Sequence, residues 1–212
     1  MSLLDDVDAL IEGRHLLTHP FYTEWVAGTL PKESIQEYAR QYFAFESNFP
    51  RFLSAIHSRC EEPITRQAIL ENLWDEEHGE ENHRELWLRF AEGVGVARND
   101  VIGAARNEAT DGLVETYRGN AAFEPGAGVA AIYAYERQVP GVAEAKMIGL
   151  RKHYGVEDER TLEFWRVHRG LDGEHAKAER RILADADPGP VLDATHEALD
   201  AWWWFLDAIE ED

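Results

Sequence analysis

The chain has 212 residues, 44% of them hydrophobic and 11% aromatic, and its formal net charge is −20 at pH 7. This composition excludes a disordered chain, and the length suits one large domain or two small ones. The strongly acidic balance argues against binding of nucleic acid, or of an anionic membrane, through a basic face.

Helical patterns follow one another along the chain, and no segment alternates convincingly like a strand. Prolines and glycines mark several expected ends, because proline is tolerated in the first helical turn and glycine favours the position after the last. The predicted helices cover 3–12, 20–28, 31–60 with a kink or break at Pro50, 63 to 93 or 95, 99–107, 109–119, 129–155 with an interruption at Pro140, 158–184 and 191–209. We expect a single all-α domain over residues 1–212, with about seven main helices.

The sequence shows no signal for export or for membrane insertion. Its first residues turn acidic at the fifth position and have no basic region followed by an apolar run, so we expect no signal peptide. No stretch approaches about 18 uninterrupted apolar residues. The single cysteine, Cys60, excludes an intrachain disulfide framework. These features predict a cytoplasmic protein, and the acidic, lysine-poor composition fits a high-salt cytoplasm.

One polar face stands out in the stretch HRGLDGEH, residues 168–175. At about 100° per residue, His168, Asp172 and His175 fall within a sector of roughly 60° on one side of a helix. Gly170 and Gly173 lie between them, and small residues there would let a neighbouring backbone approach closely. A solvated helix face remains the alternative interpretation.

Two other segments carry matching chemistry. Glu76 and His83 are seven residues apart in LWDEEHGEENHREL, which on a continuous helix is two turns and nearly the same azimuth. Glu136 is the only acid at the end of the uncharged run VAAIYAY, and burying an acid is costly unless it is paired or bound to a cation. Three carboxylates and three imidazoles from a helix bundle suit iron or manganese, and six ligands suffice for two ions.

The spacing leaves a second arrangement open. Glu80 with His83 and Asp172 with His175 form ExxH-type pairs, to which two other helices would each add a single carboxylate, as in ferritin-like dimetal bundles. The single carboxylates in that arrangement are Glu46 and Glu136, and His168 has no role in it.

Four segments in order, HPFYTEW, DEEHGEENHRELW, YAYERQVP with a lysine ten residues beyond its glutamate, and HRGLDGEH, resemble the haem-oxygenase-like dimetal oxidases. Within the TenA/PqqC-like superfamily the resemblance is to the group of the Chlamydia protein associating with death domains (CADD-like proteins). It spans about residues 15 to 184, with a C-terminal helix at about 191–209 beyond it.

The resemblance implies a compact seven-helix bundle, commonly a homodimer, that binds two irons or a manganese–iron pair and activates dioxygen with a reductant. It selects Glu76 over Glu80, so that the implied metal ligands are Glu76, His83, Glu136, His168, Asp172 and His175. Members of this group are implicated in making 4-aminobenzoate for folate synthesis, with the protein's own tyrosine as the aromatic ring and a lysine as proposed amino donor. On matching positions these are Tyr22 and Lys146, with Tyr38 and Tyr135 as nearby redox-active aromatics.

The sequence leaves two other functions open. One alternative is an oxidase of the PqqC type (pyrroloquinoline-quinone synthase) or one acting on another external small molecule, and a second is a non-catalytic interaction or regulatory protein. A TenA-like thiaminase is disfavoured, because its cysteine nucleophile is absent from YAYE and Cys60 lies far away in the sequence.

Overall fold

The computed structural model describes residues 2–210, except for the side chains at positions 171, 172 and 210. Along this part of the chain there are α-helices and one 3₁₀ turn, Leu16–Thr18, and no strand. The helices are α1 Leu3–Gly13, α2 Pro20–Ala27, α3 Lys32–Glu46, α4 Phe49–Arg59, α5 Pro63–Glu77, α6 His83–Gly93, α7 Arg98–Ile102, α8 Glu108–Phe123, α9 Pro125–Glu136, α10 Val139–His153, α11 Glu159–Leu183 and α12 Pro188–Glu210.

The all-α prediction is confirmed, and prolines mark the breaks in two of the expected long helices. Pro50 and Pro140 each lie in the first turn of a new helix, α4 and α10, because a proline there needs no backbone hydrogen-bond donor. The breaks before them contain only Ser47–Asn48 and Arg137–Gln138, so the paired helices remain adjacent.

The segment from 63 to 93, expected as one helix, is divided as well. Helix α5 ends at Glu77, Gly79 has a positive φ of 85°, and Asn82 caps α6 by accepting a hydrogen bond from the Glu85 amide over 3.0 Å. The azimuth argument that placed Glu76 and His83 on one helical face is therefore wrong, since the two residues belong to different helices.

Helix α9 lies at the centre of the bundle, where α12, α8, α11 and α4 pack around it. Every residue from Ala127 to Glu136 is buried, which agrees with its uncharged sequence. Large aromatic side chains fill the rest of the core, including Trp87, Trp165 and Trp202. The only carboxylate of α9 is thus held at the end of a fully buried helix.

The tryptophans near the C-terminus divide between core and surface. Trp202 is buried and stacks on Tyr135, with ring centroids 4.7 Å apart. Trp203 donates from Nε1 to the Arg14 carbonyl over 2.9 Å, whereas Trp204 is 45% exposed. Consecutive aromatics on a helix point in different directions, so one core cannot take all three.

In the described part of the chain, no helix combines the length and apolarity needed to cross a membrane.

Candidate metal centre

Helix ends bring the candidate ligands together. Helix α3 ends at Glu46, α9 ends at Glu136, α5 ends one residue after Glu76, and α6 begins at His83. Helix α11 runs past these breaks without interruption and carries His168 and His175 on the same side. Six side chains from five helices therefore meet in the interior of the bundle.

The first half of this cluster contains two imidazoles and two carboxylates, all buried. Oε1 of Glu76 lies 2.8 Å from Nδ1 of His83. One ligand atom each of Glu46, His83 and His168 lie within 4.8 Å of one another, and the two imidazole rings have centroids 4.3 Å apart. This spacing suits a shared cation.

The second half is formed by Glu136 and His175, whose Oε2 and Nδ1 atoms are 4.0 Å apart. Asn72 donates from Nδ2 to Oε1 of Glu136 over 2.9 Å, and the same amide lies 3.5 Å from Oε1 of Glu179. The other ring nitrogen of His175 lies 3.1 Å from Oδ2 of Asp75. Asn72 and Asp75 therefore each bond one polar atom of Glu136 and of His175, and Oε2 of Glu136 and Nδ1 of His175 stay available to a cation.

Hydrogen bonds also set which nitrogen of each histidine is available. Nδ1 of His168 lies 2.7 Å from the carbonyl oxygen of Phe164, which only accepts, so Nδ1 carries the proton and Nε2 keeps its lone pair. In His175, Nε2–H donates to the Asp75 carboxylate, and in the neutral ring Nδ1 keeps its lone pair. Metal-binding histidines are commonly oriented in this way by a carbonyl or carboxylate on the second nitrogen.

Unsatisfied buried atoms show that these residues fit a metal. Oε1 of Glu46, Nδ1 of His83, Oε2 of Glu136 and Nδ1 of His175 have no hydrogen-bond partner among the described residues. The short contact between His83 and Glu76 lacks hydrogen-bond geometry. Buried polar atoms without partners are costly and rare, and cations bound in the two halves of the cluster would satisfy them.

The pKa values of the candidate ligands are shifted in ways that agree with a metal site. Burial, reinforced by the charge of Glu76, raises the pKa of Glu46 to about 8. Burial also raises the pKa of Glu136. Burial lowers the pKa of His83, but the nearby carboxylates, Glu76 first, outweigh it and raise this pKa to about 9. Burial and the neighbouring His83 hold the pKa of His168 well below its usual range. A divalent cation would favour the deprotonated forms of all these groups.

The structure brings together five of the six side chains predicted as ligands: Glu76, His83, Glu136, His168 and His175. The side chain of the sixth, Asp172, lies outside the described residues. Glu80 is exposed in the segment between α5 and α6, which gives the alternative ExxH pairing no support. A Cβ at Gly170 or Gly173 would meet no described atom within 4 Å, so the close packing expected at these glycines is wrong.

Three residues at the site were missed or placed differently by the sequence analysis. Glu46 was assigned only in the alternative pairing, although it lies beside His83 and His168. The sequence patterns do not single out Asn72 or Asp75. The available signal was spacing, because Asn72 lies four residues before Glu76 and therefore shares its helical face.

A lysine in an aromatic pocket lies among the tyrosines that the resemblance singles out. Lys146 is 1% exposed, and its Nζ is 2.6 Å from the Tyr38 hydroxyl and 4.9 Å from the ring centroid of Tyr22. Nζ also lies 4.1 Å from the Trp165 ring, and no carboxylate among the described residues forms an ion pair with it. Burial lowers the pKa of Lys146 well below its ordinary range.

Two tyrosine hydroxyls lie between this pocket and the candidate ligands. The hydroxyls of Tyr42 and Tyr135 are 2.5 Å apart, and the rings of Tyr42 and Tyr38 have centroids 5.3 Å apart. A cavity of about 10 Å³ is lined by both Tyr42 and Tyr135 and by Glu46, Glu136 and His168. The aromatic pocket and the candidate metal centre are therefore neighbours.

Residues 36–209 match the family described as iron-containing redox enzymes. A 4-aminobenzoate synthase from Nitrosomonas europaea is 41% identical, with 97% of this chain and 90% of that protein covered. A 4-aminobenzoate synthase from Chlamydia muridarum is 38% identical, with 100% and 91% covered. A pyrroloquinoline-quinone synthase from Klebsiella pneumoniae is 24% identical, with 90% and 79% covered.

Solved structures share the fold at low sequence identity. A TenA homologue from Pseudomonas syringae pv. tomato has a TM-score of 0.83 at 13% identity, with 99% of this chain and 91% of that chain covered. A domain with a heme oxygenase-like fold from Shewanella denitrificans has a TM-score of 0.81 at 17% identity, with 98% and 90% covered. The predicted haem-oxygenase-like fold is confirmed. With a family match over most of its length and relatives of about two-fifths identity, this chain belongs to the family of iron-containing redox enzymes.

Proposed function

We propose that this protein is a dimetal, dioxygen-activating oxidase that makes 4-aminobenzoate from its own tyrosine. The observation that carries the proposal is the cluster of five buried candidate ligands next to a buried lysine and tyrosine. The relatives named 4-aminobenzoate synthase support the product. The proposed ligands are Glu76, His83, Glu136, His168, Asp172 and His175.

Two irons or a manganese–iron pair would occupy this site and, once bound, supply the redox chemistry that activates dioxygen. The mixed imidazole and carboxylate donors suit either pair. The protein holds these donors in place through Asn72, Asp75 and the Phe164 carbonyl, and the surrounding aromatic side chains exclude water.

Tyr22 is the proposed source of the ring and Lys146 the proposed source of the amino group. Burial lowers the pKa of Lys146 well below its ordinary range and so favours the neutral amine, whose lone pair would attack an oxidised ring. Its Nζ donates to the Tyr38 hydroxyl, which holds the amine near the Tyr22 ring. Tyr38 and Tyr135 are proposed as redox-active aromatics beside this pair.

The size of the cavities favours an internal substrate over an external one. Cavities of about 110 Å³ and about 10 Å³ are lined by candidate ligands. Pockets for organic ligands commonly enclose about 300–1,000 Å³. An external quinone precursor or a similar molecule would therefore require the core to open.

Mass spectrometry of the intact protein tests this proposal. Protein incubated with iron, manganese, reductant and dioxygen should yield at most one 4-aminobenzoate per chain and should lose the Tyr22 side chain. Protein labelled with lysine carrying ¹⁵N at the side-chain nitrogen should yield labelled product, and Tyr22→Phe should yield none. Unchanged protein mass with repeated turnover of an added substrate would contradict the proposal.

We further propose that the chain acts as a single domain, as a cytoplasmic homodimer supplied by an external reductant. Exposed apolar side chains, among them Trp74, Phe123 and Trp204, would suit a dimer contact. Light scattering after size-exclusion chromatography tests the dimer, and a mass of one chain would contradict it.

A further inference from the structure

One buried carboxylate at the candidate metal centre has no role in the proposed set of six ligands. Glu46 is the last residue of α3 and is 4% exposed. Its Oε1 has no hydrogen-bond partner among the described residues. An apolar side chain of similar size would fill this position without that cost, so packing alone does not explain a carboxylate here.

The distances around Glu46 match those of metal ligands. Donor atoms bound to one ion at about 2.0–2.2 Å lie no more than about 4.4 Å apart. The candidate donor atoms of Glu46, His83 and His168 lie within 4.8 Å of one another. Side-chain movements of a few tenths of an ångström would therefore bring all three within bonding distance of one ion. Oε1 of Glu76 lies 2.8 Å from Nδ1 of His83 as well.

Glu46 also lines a path from solvent to the cluster. The cavity of about 110 Å³ is bounded inside by Glu46 and Glu76 and outside by the exposed Glu77 and Arg84. It lies between the α3–α4 break and the α5–α6 break. An ion entering here meets the carboxylates of Glu46 and Glu76 first.

We infer that Glu46 is a seventh protein ligand, bound to the metal ion that His83 and His168 also hold. The inference rests on the proposed function, since it assumes that the cluster binds metal. It makes oxygen donors the majority in the proposed set, with four carboxylates and three imidazoles.

Manganese titration of the chelator-treated, full-length protein tests this role. Wild type should bind two equivalents of Mn²⁺. Glu46→Gln, which keeps the shape but removes the charge, and Glu46→Ala should each bind one equivalent at least about tenfold more weakly and keep the other. Asn48→Ala is the matched control, because Asn48 is buried at the same helix break and bonds to the Ala44 carbonyl instead.

Thermal melting separates ligation from a structural role. Without metal, Glu46→Gln should melt at the temperature of wild type or above it, while the rise on adding Mn²⁺ should be smaller in the variant. If Glu46→Gln binds two equivalents with unchanged affinity, the inference is overturned and the proposed function stands. If wild type itself binds no Mn²⁺ or Fe²⁺, both are overturned.

A measurement on wild type needs no variant to fold. Anomalous scattering from crystals of the Mn²⁺-loaded protein should place an ion about 2.0–2.2 Å from a carboxylate oxygen of Glu46. An ion bound by His83 and His168 but beyond about 3 Å from Glu46 would overturn the inference.

Discussion

The side-chain amide of Asn72 donates to Oε1 of Glu136 over 2.9 Å, while Oε2 of the same carboxylate has no hydrogen-bond partner among the described residues. The free oxygen lies 4.0 Å from Nδ1 of His175. Asn72 therefore selects which oxygen of Glu136 is available to a cation.

This relationship predicts that Asn72→Ala weakens metal binding although Asn72 is not a ligand. Loss of such a supporting contact typically lowers metal affinity about 10- to 100-fold. Titration with Mn²⁺ measures the change. Asn120→Ala is the matched control, because Asn120 is also buried and donates to a glutamate, Glu197, away from the site. Equal affinities in the two variants would contradict the role assigned to Asn72.

Metal analysis of two single variants distinguishes the two ligand assignments derived from the sequence. His168→Ala should lose at least one equivalent of metal, because His168 is buried and presents Nε2 to the cluster. Glu80→Ala should keep the wild-type content, because Glu80 is exposed. Loss of metal in Glu80→Ala alone would instead favour the ferritin-like pairing.

Metal affinity should rise with pH. In the metal-free protein His83 has a pKa raised to about 9 and Glu46 a pKa raised to about 8, so both carry protons at neutral pH. A ligand must lose its proton, and binding therefore releases protons and strengthens from about pH 6 to about pH 9. Calorimetric titration in buffers of different ionisation enthalpy counts the protons released. Glu46→Gln should release fewer protons on binding metal than wild type does. A metal affinity independent of pH would contradict the assignment of His83 and Glu46 as ligands.

The buried lysine should leave a signature in stability. Because burial lowers the pKa of Lys146 below that of the unfolded chain, burying this amine costs free energy at pH values where the unfolded lysine is protonated. The cost shrinks as pH rises towards 10.5, the ordinary value. The melting temperature of metal-free wild type, measured relative to that of Lys146→Met, should therefore increase from about pH 7 to about pH 10. Each kcal/mol of unfolding free energy that wild type regains should raise it by about 2–4 °C.

Scanning calorimetry at both pH values measures this difference. Lys152→Met is the control, since Lys152 is exposed and the comparison with wild type should not change with pH. Lys146→Met should also make no 4-aminobenzoate. A constant difference between Lys146→Met and wild type would show that Lys146 is not a buried amine.

The position of Glu76 illustrates what the spacing of residues could and could not predict. Four nearby acids, Glu76, Glu77, Glu80 and Glu81, look alike in sequence. The resemblance selected Glu76, whereas the reasoning from periodicity assumed one helix through His83. In the structure the chain leaves the helix after Glu77 and re-enters it at His83, and the two side chains meet across this break.

Sequence patterns alone predict the helical class, the proline-marked breaks, the acid in the apolar run ending at Glu136 and the histidine pair on α11. These properties are local, since periodicity sets the direction of a side chain around its own helix axis. The packing of the helices against one another places Glu46 beside His83 and His168, Asn72 against Glu136, and Lys146 against Tyr22. Contacts between helices depend on where each helix ends and on which faces pack together, and no single helix carries that information.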